Sequence, residues 1–497
     1  MQHCSILLIL LGVLGLSGCA TNEVTGADEL RLMSQAEELK LGAQQYPILR
    51  QQSGGDFVAD PELVQYVQTV GARLAAVADR DLPYEFVVIN AADWNAWALP
   101  GGKIGINRGL LLAMETEAEL AAVLAHEIVH AAAGHGANQN AAGQLGQLGL
   151  EVLGALIDNP VARQASAQAG SLLLGAGRAS FSRADELEAD RFGMEYMLRA
   201  GYDLQGAVDL QQRFLEKSNQ SGASAGVNLF ATHPPSQARV IANRNFAQQH
   251  AGGEIGREAY QAATKRLKIT QAAYDHLERG VAAYLEDDMN GALARAQQAL
   301  KIEAREPAFY ELKGFSLLGL ERFEDALKAA NMAIRLNPNY YRHYNLRARI
   351  YRALGREADA RADYQISQDL FANSEASKYL GQGLMESDPA TAEVLLAKAA
   401  ESGDAEAQRW LDELRLRTQP ADLIQVSIRE QHGGAELWLT NRAAIDVTHV
   451  KLASADKQST LVVGHTVAAG QSIKTQLPAS LLETHPQWHV QLARPRL

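Results

Sequence analysis

Cysteine is almost missing from this chain. Cys4 and Cys19 are the only two in 497 residues, so no disulfide framework can carry the fold, which has to rest on core packing. Aromatic residues are sparse at 6%, which suits an alanine-rich helical protein. A basic surplus is also lacking. The 46 Lys and Arg face 58 Asp and Glu, and the net charge of −12 excludes a nucleic-acid partner gripped through a basic face. The first apolar run, residues 4–15, is too short to span a bilayer comfortably and ends in small residues. What is present is 47% hydrophobic content, ample for real cores in three or so domains.

The short apolar run leads into Leu16-Ser17-Gly18-Cys19, which looks like a bacterial lipobox. On that reading residues 1–18 are a signal peptide, and Cys19 is lipidated and becomes the first mature residue. Cys4 leaves with the signal, so the mature chain has no free thiol in an oxidising compartment. Several acyl chains make a durable anchor. Ala20 stands where an aspartate would retain the protein elsewhere, so the expected location is the periplasm, on the outer membrane. Residues 19–27 are expected to form a polar, lipidated tether.

The densest chemical signal is His126-Glu127-Ile128-Val129-His130. On a helix the two histidines lie one turn apart and point the same way, an arrangement that can hold one Zn²⁺. Glu127 beside them can take a proton from an attacking water. Thr116 and Glu119 form a capping box, good helix formers follow, and Gly134 supplies a stop. Upstream, Tyr84–Asn90 reads as a strand, and Trp97-Ala98-Leu99 runs through Pro100-Gly101-Gly102 into a further strand, Lys103–Asn107. A sheet edge there could take an extended substrate as an extra strand.

Two histidines leave zinc short of a protein ligand. In the next helical stretch Glu186 and Asp190 are four apart and share a face. Glu186 completes a His₂Glu site, and Asp190 accepts the N–H of a ligand histidine and fixes its tautomer. Glu188 falls on another face and reads as solvated. Gly136 stands where a longer zinc motif would place a third histidine. The segment 137–178, with Gly143, Gly146 and Gly149 and two apolar runs, is too interrupted for a membrane span; whether it covers a cleft or meets a membrane or partner stays open.

The His126–His130 motif, Ser182-Arg183 through Glu186 and Asp190, and the Asn95–Gly102 strand-turn together resemble the gluzincin peptidases that include HtpX and the CAAX prenyl proteases. The resemblance covers about residues 28 to 410. It implies a zincin-like α+β peptidase domain at 28–255 with one zinc per chain. It also implies that His233, in Thr232-His233-Pro234, is a fourth, inhibitory zinc ligand and that Arg239 is a transition-state group. Four protein ligands close a site that catalysis needs open, so such an enzyme rests in a latent state. A lipobox, a soluble peptidase domain and a helical tail are similar to enzymes of outer-membrane protein quality control. That implies misassembled or stalled outer-membrane proteins as substrates and the assembly machinery as a partner of the repeats.

From about Thr270 the chain is a series of alanine-rich helices of period 34. Gly280, Gly314 and Ala348 share one position, Ala292, Ala326 and Ala360 another, and Ala299, Ala333 and Ser367 a third. Small residues in register let paired helices approach closely, the tetratricopeptide pattern, so an α-solenoid with Sel1-like final helices is expected over 256–416. Apolar alternation after Pro420 indicates a small β-sandwich over 419–497. The chain thus reads as a mainly α, multidomain, lipid-anchored zinc endopeptidase. The alternative is a non-enzymatic tetratricopeptide scaffold or chaperone with a structural zinc.

Overall fold

The computed structural model describes residues 19–31, 33–141, 181–221, 228–250, 252–431, 434–454, 459–477 and 488–495. The expected signal peptide and all but the first residues of the glycine-rich segment lie outside these. The described chain is mostly helical with small sheets, and none of its helices is long and apolar enough to cross a membrane.

Two compact units divide it, residues 1–313 with 335–337, and residues 314–334 with 338–497. In the first, the stretch expected as a tether is folded. Strands β1 (Cys19–Thr21) and β2 (Asp28–Leu30) pair antiparallel. Asn22, fully buried in the turn between them, accepts from the backbone N–H of Val24 and donates to the carbonyl of Ala133 at 3.5 Å, while Val24 enters the core. A polar composition suggested a solvated linker; burial of one asparagine with its bonds satisfied makes it a clasp.

Helix α1 (Gln35–Gln52) starts at a reciprocal capping box of Ser34 and Glu37. Helix α2 (Pro61–Ala75) has Asp60 as cap and proline in its first turn, and buries Leu63, Val67, Val70 and Leu74 at three- and four-residue spacing. Strands β3 (Glu85–Ile89), β4 (Ala96–Leu99) and β5 (Lys103–Asn107) form a sheet of order β3-β5-β4, with β3 parallel and β4 antiparallel to β5. The β4–β5 turn needs Gly101 and Gly102, both in the left-handed region. Gly42 of α1 passes so close to it that a Cβ there would stand 1.8 Å from the Pro100 carbonyl oxygen.

Helix α3 (Arg108–Ala113) leads into α4 (Glu117–Ala132), which is buried along its whole length. Then come α5 (Arg183–Arg199), α6 (Gln205–Ser221), α7 (Asn228–Thr232), α8 (Gln237–Ala247), α9 (Arg257–Leu285) and α10 (Met289–Ile302). Tyr260, Leu267 and Tyr274 of α9 and Ala299 of α10 join the same core as α2 and α4. That shared core is why the first unit runs on past residue 255, where the sequence suggested a border.

The far end of α5 is held by a two-pronged ion pair, Arg199 to Asp79 at 2.6 and 2.9 Å. The guanidinium holds the Asp79 carboxyl below its usual range against a weaker opposing push from partial burial. A lowered folded-state value adds stability above the unfolded value of about 3.9 and loses it as pH falls through the folded value. The pair is part-exposed, so its share is small, about 0.5–1 kcal/mol. Arg199→Gln should therefore lose that much at pH 7 and progressively less as pH falls through the folded value of Asp79, which denaturant melts at neutral and at strongly acid pH would show. An equal loss at both pH values would contradict it.

The second unit holds the end of α11 (Pro307–Gly319), most of α12 (Phe323–Leu336), α13 (Tyr341–Ala353), α14 (Glu357–Leu370), α15 (Ser374–Leu384), α16 (Pro389–Glu401) and α17 (Ala405–Thr418). The small-residue columns are buried: Ala326, Ala333, Ala360 and Ser367 are all fully enclosed. A Cβ on Gly314 would stand 2.7 Å from Leu346, which is why that column tolerates so little volume. Two three-stranded antiparallel sheets follow. One has order β10-β7-β6, from β6 (Ile424–Gln431), β7 (Gly434–Asn441) and β10 (Ser472–Leu477). The other has order β11-β8-β9, from β8 (Val447–Ser454), β9 (Thr460–Val463) and β11 (Trp488–Pro495). Ile424, Leu437 and Leu439 of the first and Val450, Leu452 and Val490 of the second share one apolar cluster.

Candidate metal centre

Helix α4 sits in the core because it is apolar on every side. Its few polar side chains all have work. The Thr116 side chain accepts from the Glu119 N–H as a cap, but Glu119 reaches Glu115 N–H and Arg213 instead of completing a box. Glu117 accepts from the hydroxyls of Tyr66 and Tyr202. At the other end Arg80, 1% exposed, donates to the Ala132 carbonyl at 3.3 Å and pairs with buried Glu38 at 2.8 Å. That leaves His126, Glu127 and His130.

The helix puts His126 Nε2 and His130 Nε2 3.0 Å apart. Helix α5 crosses close by through Gly193, where a Cβ would stand 3.2 Å from the His126 backbone nitrogen. One and two turns before that contact, Asp190 and Glu186 reach across on the same face. Glu186 Oε1 lies 3.4 Å from His130 Nε2 and Oε2 lies 3.7 Å from His126 Nε2. Asp190 Oδ1 lies 3.0 Å from His126 Nδ1, the nitrogen turned away from the cluster. His233, just past α7, brings Nδ1 to 2.8 Å from Glu186 Oε1 and 3.3 Å from His126 Nε2, with its Nε2 3.7 Å from Glu127 Oε1. His126, His130, Glu186 and His233 are all buried, and each offers a donor atom within 4.8 Å of every other.

Arg239 closes the cluster. Its guanidinium bonds Asp190 through Nε and Nη2 at 2.6 and 2.7 Å and meets Glu186 through Nη1 at 2.5 Å. In this arrangement it is engaged with the carboxylates that hold the histidines.

Electrostatics follow from burial and neighbours. Burial alone would raise Glu186, but hydrogen bonds from His130 and His233 with the charge of His126 hold its carboxyl far below the usual range. Asp190 is likewise turned downward against burial by Arg239 and His126. Burial pushes Glu127 upward against the pull of His233 and His126. It pushes the His130 imidazole well down. His233 is raised, because Glu127 and Glu186 outweigh its burial.

Three neighbours escaped the reading of the sequence. Phe181 stacks on the His130 ring at 4.0 Å and 25°. His135 touches the far side of His130, and Glu188, expected to be solvated, reaches His135 at 3.1 Å. A third histidine, five residues after His130, was the available signal.

Buried nitrogen and carboxylate donors in this number suit Zn²⁺. Glu127 adds a carboxylate oxygen with no hydrogen-bond partner among the described residues, a polar atom a dry protein core would not leave idle. Histidines one helical turn apart, a carboxylate from a later helix and an unliganded glutamate between them define a zinc-dependent metallopeptidase. Residues 61–246 match Peptidase family M48, and the chain belongs to that family. It is 28% identical over 296 residues to the putative beta-barrel assembly-enhancing protease of Vibrio cholerae, covering 57% of either chain. To the beta-barrel assembly-enhancing protease of Escherichia coli K12 it is 30% identical, over 44% of this chain and 45% of that one. The metalloprotease YcaL of Escherichia coli K12 is 31% identical over 34% of this chain and 67% of its own length. The chain thus spans about half the length of the beta-barrel assembly-enhancing proteases it matches. The solved Arabidopsis OM64 TPR domain is 23% identical over 22% of this chain and 93% of that one, with a TM-score of 0.22.

Proposed function

We infer that the protein is a periplasmic zinc endopeptidase, anchored to the outer membrane through lipidated Cys19, that degrades misfolded or stalled outer-membrane proteins and assists their assembly. The convergence of His126, His130, Glu186 and His233 on one buried point is the observation that carries this reading. One zinc per chain is held by His126, His130 and Glu186, with His233 as a fourth ligand. Bound there, the ion supplies Lewis-acid polarisation of the scissile carbonyl and lowers the pKa of water.

The chain's own groups do the rest. Glu127 takes the proton of the attacking water and passes it to the departing amide nitrogen. Asp190 holds His126, and Arg239 keeps Glu186 and Asp190 charged and in place. Once the 229–239 segment moves, Arg239 is freed to meet the developing oxyanion. Among the described residues β4 pairs with β5 alone, so an extended substrate can pair with its other edge. Main-chain pairing of that kind favours unfolded chains over a particular side chain. The substrate class and the assembly machinery as partner of the helical repeats rest on the names of the relatives.

The test is zinc analysis of the purified chain combined with chelator-sensitive cleavage of casein or an unfolded outer-membrane protein. A chain that binds zinc but cleaves nothing, even as His233→Ala, is a scaffold. Latency has its own prediction. His233→Ala opens the fourth position, and if a few per cent of the resting protein is open, cleavage should rise roughly tenfold or more with zinc retained. Unchanged or lower turnover by zinc-loaded His233→Ala would remove the inhibitory role.

A further inference from the structure

His126 and His130 are steadied in different ways. His126 meets a carboxylate directly, through Asp190. His130 meets a second imidazole: its Nδ1 lies 2.9 Å from His135 Nδ1, and His135 Nε2 lies 3.1 Å from Glu188 Oε1. We propose that His135 and Glu188 are positioning residues for His130, a two-step relay that fixes its tautomer and ring plane for metal binding. The inference rests on the reading of His130 as a zinc ligand.

The direction of each hydrogen bond follows from that role. His130 Nε2 faces His126 and Glu186, so its lone pair is the one available to the metal. A neutral imidazole with a free Nε2 lone pair carries its proton on Nδ1. That N–H donates to His135 Nδ1, which must then be the acceptor. The proton of neutral His135 is therefore on Nε2, where it donates to the carboxylate of Glu188. Reversing the chain would place the His130 proton on Nε2 and block ligation. Glu188 accepts but cannot donate when ionised, so it selects the productive arrangement at the far end.

The fold goes out of its way to make this contact. Residues five apart on a helix do not face one another. Helix α4 stops at Ala132, the Ala133 N–H closes onto Val129, and Gly134 takes the left-handed conformation at φ +75°. The chain turns helical again from 135, and the turn returns His135 over His130. A face of the His130 ring is stacked by Phe181, so the plane is held as well as the tautomer. The His135 side chain is 8% exposed and that of Glu188 26%, so the relay ends at the protein surface.

The experiment compares zinc affinity, by competition with a chelator, in the full chain and in His135→Ala, His135→Asn and Glu188→Ala. The visible spectrum of the Co²⁺-loaded proteins and the melting temperature of the metal-stripped ones complete it. His135→Ala and Glu188→Ala should weaken zinc binding by roughly 10- to 100-fold and alter the Co²⁺ spectrum, with the metal-free melting temperature unmoved. Asparagine can set its amide oxygen where Nδ1 stands, so His135→Asn should recover most of the affinity and the spectrum. Wild-type zinc affinity in His135→Ala, or no recovery in His135→Asn, overturns the relay while leaving the metal site intact. No zinc in the unaltered chain would overturn the site reading itself, and the relay with it.

Discussion

Glu127→Gln should cut peptide cleavage by roughly 10²- to 10⁴-fold, the share general acid–base catalysis commonly contributes. The variant should still hold one zinc per chain. Glu127 is 1% exposed, one residue after His126 on a helix fixed at both ends, so the substitution changes no shape. What changes is chemistry: a carboxylate can take a proton from water and give it up again, and an amide cannot. His233 Nε2 lies 3.7 Å from Glu127 Oε1. The comparison should therefore be repeated in the His233→Ala background, where latency no longer hides turnover. Cleavage retained in zinc-loaded Glu127→Gln would take the glutamate out of the reaction. Loss of zinc would mean that it serves the metal rather than the water.

The second large effect concerns what holds that helix. Arg80→Met leaves Glu38 as an unpaired buried charge and strips a donor from the Ala132 carbonyl, and breaking a buried pair from one side costs about 3–5 kcal/mol. Arg80 and Glu38 are 1% and 3% exposed, so water cannot make up the loss. The midpoint of urea unfolding, followed in the first compact unit, should fall accordingly. Replacing both partners, as Arg80→Met with Glu38→Leu, should restore most of the difference, because two apolar side chains leave no stranded charge. A wild-type midpoint in the single variant would show that the pair contributes nothing.

Much of this arrangement was legible in the residues, for a physical reason. Helical periodicity is local, so the turn between His126 and His130, the shared face of Glu186 and Asp190, and the Thr116 cap could all be read directly. The repeat columns were equally plain. A Cβ on Gly280 would stand 2.5 Å from Leu312, so volume at that position is set by close helix contact and recurs in the sequence. The strands at 84–90, 97–99 and 103–107 were visible too, but not their order, since parallel β3–β5 pairing is made across the intervening β4.

What was hidden depends on chain reversals and long-range satisfaction. Glu188 read as solvated because spacing gives a face and not what comes to meet it; His135 arrives there only through the left-handed turn at Gly134. For Arg239, nothing local foretold that two buried carboxylates would claim all three of its nitrogens. Asn22 looked like linker, although a buried asparagine can lock a turn when its donors and acceptor are met.

The short hairpin at the start of the described residues bears on the reach of the proposed enzyme. Asn22 is fastened to Ala133 at the end of the motif helix, and it stands only three positions after Cys19. At about 3.3 Å per extended residue, that spacing is roughly 10 Å. On the proposed lipidation of Cys19, the peptidase unit would be moored flush rather than swinging on a leash. Its working radius would then be the thin layer of water just above the lipid.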